Sequence, residues 1–225
     1  MDTVRSTTLS AEQLAKSFSG TPIFVGVSFE AGAGLLAVAG PNGSGKTTLL
    51  KILAGLLSPS EGRVRVEREG RVLSGDERRL AVGWAGPDLE LYGDLTGEEN
   101  LRFFRKAAGF PAETGDIRAR LEGVGLSPAA VTRPVDAYST GMRQRLRLAF
   151  ARLFDPPLLI LDEPYSGLDT SGREIVRRVV ADARVRGGVI LASNDERDFA
   201  DAERRIDLVG APLAGGRPAE GRTPA

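Results

Sequence analysis

Residues 40–48 read Gly40-Pro41-Asn42-Gly43-Ser44-Gly45-Lys46-Thr47-Thr48. This run fills the pattern G-x-x-x-x-G-K-[ST], in which a glycine-rich loop points its backbone N–H groups at the phosphates of a nucleotide. Lys46 can reach the β- and γ-phosphates as a point charge, and the Thr47 hydroxyl can bind Mg²⁺. The residues predicted to bind the phosphates are Asn42, Gly43, Ser44, Gly45, Lys46, Thr47 and Thr48. The pattern therefore predicts a nucleoside triphosphate site.

The segments on either side of this loop have the patterns of a strand and a helix. Residues 35–39 are an apolar run typical of a buried strand. Residues 46–57 read as a helix whose positive N-terminal end would face the phosphates. A glycine-rich turn with a stray lysine is the alternative interpretation, and these flanks argue against it.

Composition limits the other possibilities. Thirty Lys and Arg residues balance thirty Asp and Glu residues, so nucleic acid is not expected as the main partner. No apolar run is long enough for a membrane span, and the N-terminus lacks the apolar core of a signal peptide, so we expect a cytoplasmic protein without direct membrane insertion. The chain contains no Cys and no His, which excludes disulfides and removes the commonest general base.

Strand and helix patterns alternate, which predicts an α/β core with a largely parallel sheet. Strand patterns cover residues 8–31, 35–39, 63–67, 80–84, 158–161 and 189–192, the last of them interpreted as the last buried strand. Residues 170–185 read as a helix, and the Gly, Pro and Ala content after residue 210 predicts a frayed tail over 211–225.

Helical spacing replaces the strand pattern in the middle of the chain. Residues 96–99 form a capping box, and residues 116–124 and 139–153 also read as helical. We therefore expect a single domain over residues 1–225. Its core lobe would comprise about residues 1–87 and 156–210, and an inserted helical lobe about residues 88–155.

Two acidic residues, Asp162 and Glu163, follow the apolar run at 158–161. Ligands of parallel α/β sheets lie at the carboxyl ends of the strands, so both acids should point toward the phosphates. Asp162 would hold magnesium, directly or through water, and Glu163 would polarise the attacking water. An acidic turn that ends a strand is the alternative interpretation, which the phosphate loop makes less favourable.

A second anion site is indicated where the helix at 139–153 begins. Ser139 supplies a small hydroxyl and Gly141 a glycine, and this combination at a helix start can bind an anion. An ordinary N-cap is the alternative interpretation.

In order and spacing, these motifs resemble the nucleotide-binding subunit of an ABC transporter from about residue 8 to residue 210. Residues 40–48 are similar to that family's Walker A loop, residues 158–163 to its Walker B strand, residues 138–142 to its signature motif and residues 166–169 to its D-loop. The resemblance implies a P-loop NTPase core with a mixed, largely parallel sheet, an N-terminal antiparallel β part and an inserted helical lobe.

The resemblance also implies ligands and partners. ATP with Mg²⁺ would lie between one subunit's Walker A loop and the other's signature helix in a homodimer or heterodimer, with Asp169 of the D-loop among the nucleotide-binding residues. Phe18 stands where the family places an aromatic ring against adenine, although a core aromatic is the alternative. Separately encoded transmembrane permease subunits would dock on the helical lobe at the inner face of the cell membrane. The candidates for lining that docking groove are Trp84, Leu89, Tyr92, Leu95 and Phe103.

Several positions depart from the family pattern. Pro87 occupies the place of a glutamine that contacts magnesium and water, and the adjacent Asp88 is a candidate magnesium ligand if the loop is shifted by one residue. The signature has Thr140 for a glycine and Met142 for a glutamine. Asn194 stands at the position of the family's switch histidine and is a candidate catalytic residue. Its amide can donate a hydrogen bond to the γ-phosphate but cannot carry a titrating positive charge. We therefore expect intact ATP binding and slowed hydrolysis.

The sequence leaves three functions open. The leading hypothesis is an ATPase subunit that powers an ABC transporter through ATP-driven dimerisation, working with separate membrane subunits. The alternative is a slow or non-hydrolysing, nucleotide-gated regulatory half of a heteromeric ABC complex, which Pro87 and Asn194 favour. A soluble ABC protein of translation or DNA repair is less favoured, because those proteins usually carry two cassettes or a long coiled coil. The short chain and the substituted glutamine also resemble subunits associated with haem export.

Overall fold

The predicted alternation of strands and helices is present in the computed structural model, which describes residues 7–210. In chain order the elements are β1 (Thr7–Phe18), β2 (Thr21–Ala31), β3 (Gly34–Ala39), α1 (Lys46–Leu53), β4 (Glu61–Arg68), β5 (Arg71–Val72), α2 (Gly75–Ala81), β6 (Val82–Ala85), α3 (Gly97–Ala107), α4 (Thr114–Gly123), α5 (Pro128–Val131), α6 (Thr140–Ala151), β7 (Leu158–Asp162), α7 (Thr170–Arg186), β8 (Gly188–Ala192) and β9 (Arg204–Asp207). The predicted tail at 211–225 lies outside the described residues.

A parallel sheet of five strands, in the order β6-β7-β8-β3-β9, lies at the centre of the described chain. Every residue of β7 and β8 is buried. Their sequences are continuous apolar runs because a parallel strand is covered on both faces. Side chains of β3 alternate between the two faces, so that Leu35 and Ala37 pack into one core cluster while Leu36 and Val38 pack into the other.

An antiparallel sheet in the order β2-β1-β4-β5 covers one face of the parallel sheet. Leu9 of β1, Phe24 of β2 and Val66 of β4 share a core cluster with Leu36 of β3 and Leu49 of α1. The prediction of an N-terminal antiparallel part beside a largely parallel sheet is therefore confirmed.

Helix α1 ends at Leu53, four residues before the predicted end at 57. Gly55 has a left-handed backbone with φ +77°. Its N–H donates to the Ile52 carbonyl (3.1 Å), and the Leu56 N–H donates to the Lys51 carbonyl (2.9 Å). These two bonds form a Schellman motif, which satisfies the last carbonyls and stops the helix.

Helices α3 to α6 lie between β6 and β7, in the segment where the sequence predicts an inserted helical lobe. The Thr96 hydroxyl accepts from the Glu99 N–H (3.1 Å), and the Glu99 carboxylate accepts from the Thr96 N–H (2.8 Å), so the capping box is confirmed. Leu101, Ile117 and Leu146, from three of these helices, are fully buried together. The lobe boundaries near residues 88 and 155 stay a prediction.

Two elements differ from the sequence-based expectation. Leu80 and Ala81, predicted to begin a strand, belong to helix α2, and the strand begins at Val82. Residues 189–192 form the last buried strand, as predicted, but an edge strand that the sequence did not predict, β9, follows it and pairs in parallel with β3. The sequence of β9 is polar, with Arg204, Arg205 and Asp207, as is typical of an edge strand. A search for apolar runs therefore does not detect it.

Candidate nucleotide site

The glycine-rich loop connects β3 to the first turn of α1. Gly40, Gly43 and Gly45 have φ values of +149°, +81° and +97°. A Cβ on Gly40 would lie 2.5 Å from the Leu208 carbonyl oxygen, and a Cβ on Gly45 would lie 2.5 Å from a methyl carbon of Ile23. Both positions therefore require glycine. Left-handed residues at this spacing build anion-binding concavities from backbone N–H groups, and the first-turn N–H groups of α1 add donors without intrahelical acceptors.

The Lys46 side chain is buried at the mouth of this loop. Its ammonium donates to the Gly40 carbonyl (2.7 Å), the Pro41 carbonyl (3.1 Å) and Oδ1 of Asn194 (3.0 Å). An ammonium has three donors and no acceptor, so it must face the carbonyl oxygen of the Asn194 amide. That contact turns Nδ2 of Asn194 away from Lys46 and leaves it as a donor.

The loop also contains a buried hydroxyl without a partner. Ser44 is 3% exposed, and its Oγ has no hydrogen-bond partner among residues 7–210. A buried hydroxyl ordinarily finds an acceptor or donor. A phosphate oxygen at the loop would supply that partner, which makes the residues present suitable for a nucleotide.

The magnesium ligands predicted from sequence are joined by a hydrogen bond. The Thr47 hydroxyl donates to Oδ2 of Asp162 at 2.6 Å. Burial raises the pKa of Asp162, and the Thr47 hydrogen bond acts in the opposite direction. No group of three or more His, Cys, Asp or Glu side chains gathers into a metal site within residues 7–210. A hydroxyl and one carboxylate suit Mg²⁺, which takes few protein ligands and completes its shell with phosphates and water.

Glu163 follows Asp162 and has a left-handed backbone with φ +49°. Its N–H donates to the Ala192 carbonyl of β8 (2.9 Å), and its own carbonyl accepts from Nε2 of Gln144 (3.3 Å). Burial and the neighbouring Asp162 raise the pKa of its carboxyl. In the described part of the chain, Oε1 of Glu163 is buried and has no hydrogen-bond partner. A carboxylate with one uncommitted oxygen and a raised pKa has the properties of a general base.

Ser139, Gly141 and Asp169 belong to a second group. The Ser139 hydroxyl caps α6 by accepting from the Met142 N–H (3.2 Å), and the Asp169 carboxylate caps α7 by accepting from the Gly172 N–H (2.7 Å). Ser139 and Asp169 are exposed, and Gly141 lies beside residues 167 and 168. The N-cap interpretation of Ser139 is thus confirmed, and nucleotide binding by these three residues stays a prediction.

Two further candidates lie at the edge of the site. The Asp88 carboxylate forms an ion pair with Lys51 (2.6 Å), so its proposed role as a magnesium ligand stays a prediction. The Phe18 side chain is 48% exposed, which excludes the core interpretation. The Lys16 ammonium lies 4.8 Å from the centre of the Phe18 ring. An exposed ring can stack on a nucleotide base.

Sequence reasoning missed Ser193 and Asp198. The Ser193 hydroxyl lies 2.7 Å from Oδ2 of Asp198 and 3.4 Å from Oε2 of Glu163. The position of Ser193 at the carboxyl end of β8 is a signal that sequence can give. No spacing rule identifies Asp198, which comes from the 3₁₀ turn Glu196–Phe199.

A groove of about 720 Å³ lies beside the site. Of the candidates predicted for a docking groove, Trp84 and Leu89 line it, whereas Tyr92, Leu95 and Phe103 do not. Tyr92 and Phe103 are about half exposed, and their rings meet edge to face at 5.3 Å. Within the described range, every helix is too short or too polar to cross a membrane.

Comparisons with known proteins give the family of this chain. The family model described as ABC transporter matches residues 25–166. The Fe(3+) ions import ATP-binding protein FbpC 3 of Rhodococcus jostii is 35% identical over 224 residues, which cover 96% of this chain and 62% of that protein. The cytochrome c biogenesis ATP-binding export protein CcmA of Rhodopseudomonas palustris is 37% identical over 204 residues, which cover 88% of this chain and 97% of that protein. This chain therefore spans less than two thirds of the iron import relative.

Solved structures share the fold. One is the dimeric structure of a post-hydrolysis state of the ATP-binding cassette MJ0796 bound to ADP and Pi. It matches this chain with a TM-score of 0.76 at 22% identity, and the match covers 89% of this chain and 94% of that chain. A bacterial Atm1-family ABC exporter with ATP bound has a TM-score of 0.78 at 23% identity over 92% of this chain and 38% of that chain. The phosphate loop on a largely parallel sheet defines a P-loop NTPase. The chain belongs to the ABC transporter ATP-binding family.

Proposed function

We propose that this chain is the subunit that binds and hydrolyses ATP to power an ABC transporter. The observation that carries the proposal is the hydrogen bond from Thr47 to Asp162. It joins the phosphate loop to the strand that ends in Glu163, so that a phosphate-binding group, a magnesium ligand pair and a candidate base meet at one edge of the sheet.

The proposed reaction divides the work among these residues. The water oxygen bonds to the γ-phosphorus, the bond to the β,γ-bridging oxygen breaks, and ADP leaves with that electron pair. Glu163 would accept the proton of the water, and Lys46 would bind the β- and γ-phosphates. Mg²⁺, held by Thr47 and Asp162, would supply charge neutralisation at the phosphate oxygens. Nδ2 of Asn194 would donate a hydrogen bond to the γ-phosphate.

ATP-driven dimerisation would complete the site. Ser139 and Gly141 lie at the start of α6, where a helix N-terminus attracts anions, and Asp169 caps the start of α7. Ser139 and Asp169 are exposed, so a second ATP-binding subunit, identical or different, can present its nucleotide to them. Hydrolysis would then remove the γ-phosphate contact and loosen the pair.

A separately encoded transmembrane subunit would dock on the groove. Trp84, Leu89, Phe150 and Phe154 give it an apolar lining. The exposed rings of Tyr92 and Phe103 lie outside this lining and are themselves suited to a protein contact. This contact would hold the chain at the inner face of the membrane. The relatives' names differ in cargo, since one imports iron and another serves cytochrome c biogenesis, so we infer that the membrane partner selects the cargo.

The competing proposal is a regulatory half that binds ATP and turns it over slowly. Asn194 and Pro87 favour it, because neither supplies the chemistry of the histidine and glutamine that the resemblance leads one to expect. The dependence of the hydrolysis rate on protein concentration separates the two proposals.

For the motor, we expect phosphate release per subunit from MgATP to rise with protein concentration, because each site needs a second subunit. Steady-state phosphate release over about a hundredfold range of concentration measures it, with EDTA in place of Mg²⁺ as the control. A rate that stays at the background level at every concentration would favour the regulatory half instead.

Asn194→His is expected to raise kcat by about tenfold, because a histidine can carry positive charge beside the γ-phosphate where the amide cannot. The measurement is steady-state hydrolysis at saturating MgATP, with Asn194→Ala as the matched variant that removes the donor and should be slower than the parent. If the histidine variant is no faster than the parent, the proposed reason for slow hydrolysis is wrong.

A further inference from the structure

Glu163 has a backbone conformation that residues other than glycine rarely adopt. Its φ is +49°, in the left-handed region. This region is sterically unfavourable for a glutamate, so contacts with the surrounding chain must hold the residue there. One carboxylate oxygen, Oε1, has no hydrogen-bond partner among residues 7–210. The direction of the carboxylate therefore depends on the main chain that carries it.

Within the described chain, three hydrogen bonds hold the main chain of Glu163. Its N–H donates to the Ala192 carbonyl of β8 (2.9 Å). Its carbonyl accepts from the Ser166 N–H (3.1 Å) and from Nε2 of Gln144 (3.3 Å). Ala192 and Ser166 contribute backbone groups, whereas Gln144 contributes a side chain of helix α6. The bond from Gln144 is therefore the one that a substitution can remove directly.

The Gln144 amide has a defined orientation. The residue is 7% exposed, and a buried amide ordinarily finds partners for its polar atoms. Its Oε1 lies 3.5 Å from a guanidinium nitrogen of Arg147, which can only donate. Nε of Arg147 in turn donates to the Leu89 carbonyl (3.0 Å). The amide oxygen faces a donor and the amide nitrogen faces the Glu163 carbonyl, so both neighbours require the same orientation.

Helix α6 is a firm support for this amide. Leu146 and Leu148 of α6 are buried in the core cluster that also contains Leu161 of β7. A closely packed interior resists the sliding of one element against another. The amide on α6 is therefore held at a fixed distance from the end of β7, where Glu163 follows.

We propose that Gln144 is a positioning residue that holds the main chain of Glu163 in its left-handed conformation and so aims the carboxylate at the attacking water. This inference rests on the proposed ATP hydrolysis and deepens it. A main chain that relaxed out of this conformation would point the Cα–Cβ bond elsewhere, and a base acts only within hydrogen-bond reach of the proton that it removes. Gln144 acts through Glu163, so its loss should lower turnover and leave nucleotide binding unchanged.

Gln144→Met is therefore expected to lower kcat by about tenfold and to leave KM for MgATP within twofold of the parent, because a small misplacement of a catalytic group is costly. Methionine keeps the length of the side chain but has no N–H donor. Gln144→Glu is the second variant; its ionised carboxylate also lacks a donor, and it should lower kcat in the same way. The melting temperature of each variant shows that it folds. Gln13→Met is the matched control, because Gln13 is exposed on β1.

The decisive measurement repeats Gln144→Met in a Glu163→Gln background, with radiolabelled ATP to follow slow phosphate release. A role that acts through the base predicts less than about twofold further loss there, because the base is already gone. A Gln144→Met rate equal to that of the parent, or an equal fold loss in both backgrounds, would overturn the positioning role while leaving the proposed function intact. A parent protein without MgATP-dependent phosphate release would overturn both.

Discussion

Glu163→Gln is expected to reduce the rate of MgATP hydrolysis by about 10²–10³-fold, since general base catalysis typically contributes that much. The amide keeps the size of the side chain but cannot accept a proton at neutral pH. Nucleotide affinity should change by less than about twofold, because the phosphates are assigned to the loop and to Lys46. Single-turnover phosphate release gives the rate, and equilibrium binding of a fluorescent ATP analogue gives the affinity.

The matched control is Glu174→Gln on helix α7. The Glu174 side chain is 63% exposed and contacts Arg177 at the surface, so the same substitution there should leave the hydrolysis rate unchanged. With hydrolysis blocked and binding kept, Glu163→Gln should also prolong the ATP-bound dimer, which light scattering detects. If Glu163→Gln hydrolyses ATP as fast as the parent, Glu163 is not the general base.

The fold was predictable where each strand is buried on both faces. β7 and β8 are continuous apolar runs, and their ends are close to the predicted ones. β9 was not predictable, because an edge strand needs few apolar residues and Ile206 is flanked by charges. Helix α2 has acidic residues in its first turn, Asp76 and Glu77, but its short length gives no clear helical period.

The candidate site was predictable to the extent that its chemistry is local in sequence. The loop at 40–48 and the acids at 162 and 163 come from contiguous motifs, and the Thr47 to Asp162 bond joins them as strand topology requires. The contact between Lys46 and Asn194 spans 148 residues, and no pattern in the chain reports it. The same holds for Ser193 and Asp198, whose meeting depends on how the turn after β8 folds back.

The second large effect concerns the loop cation. Lys46→Ala is expected to weaken MgATP binding by about 100-fold, because a hydrogen bond to a charged group is worth about 1.5–3 kcal/mol and each 1.4 kcal/mol changes affinity tenfold. Isothermal titration measures the affinity, and Lys106→Ala is the control because Lys106 is exposed on α3. If the variant binds MgATP with the same affinity as the parent, Lys46 does not bind the phosphates.

Lys46→Arg should not restore the affinity, although it keeps the positive charge. The Lys46 ammonium is surrounded by two loop carbonyls and by Oδ1 of Asn194 within 3.1 Å. A compact ammonium fits between three such oxygens, whereas a planar guanidinium presents its donors in a rigid fork. The loop is also tightly packed at Gly40, where a Cβ would lie 2.5 Å from the Leu208 carbonyl oxygen. Binding by the loop therefore depends on the shape of the cation as well as on its charge.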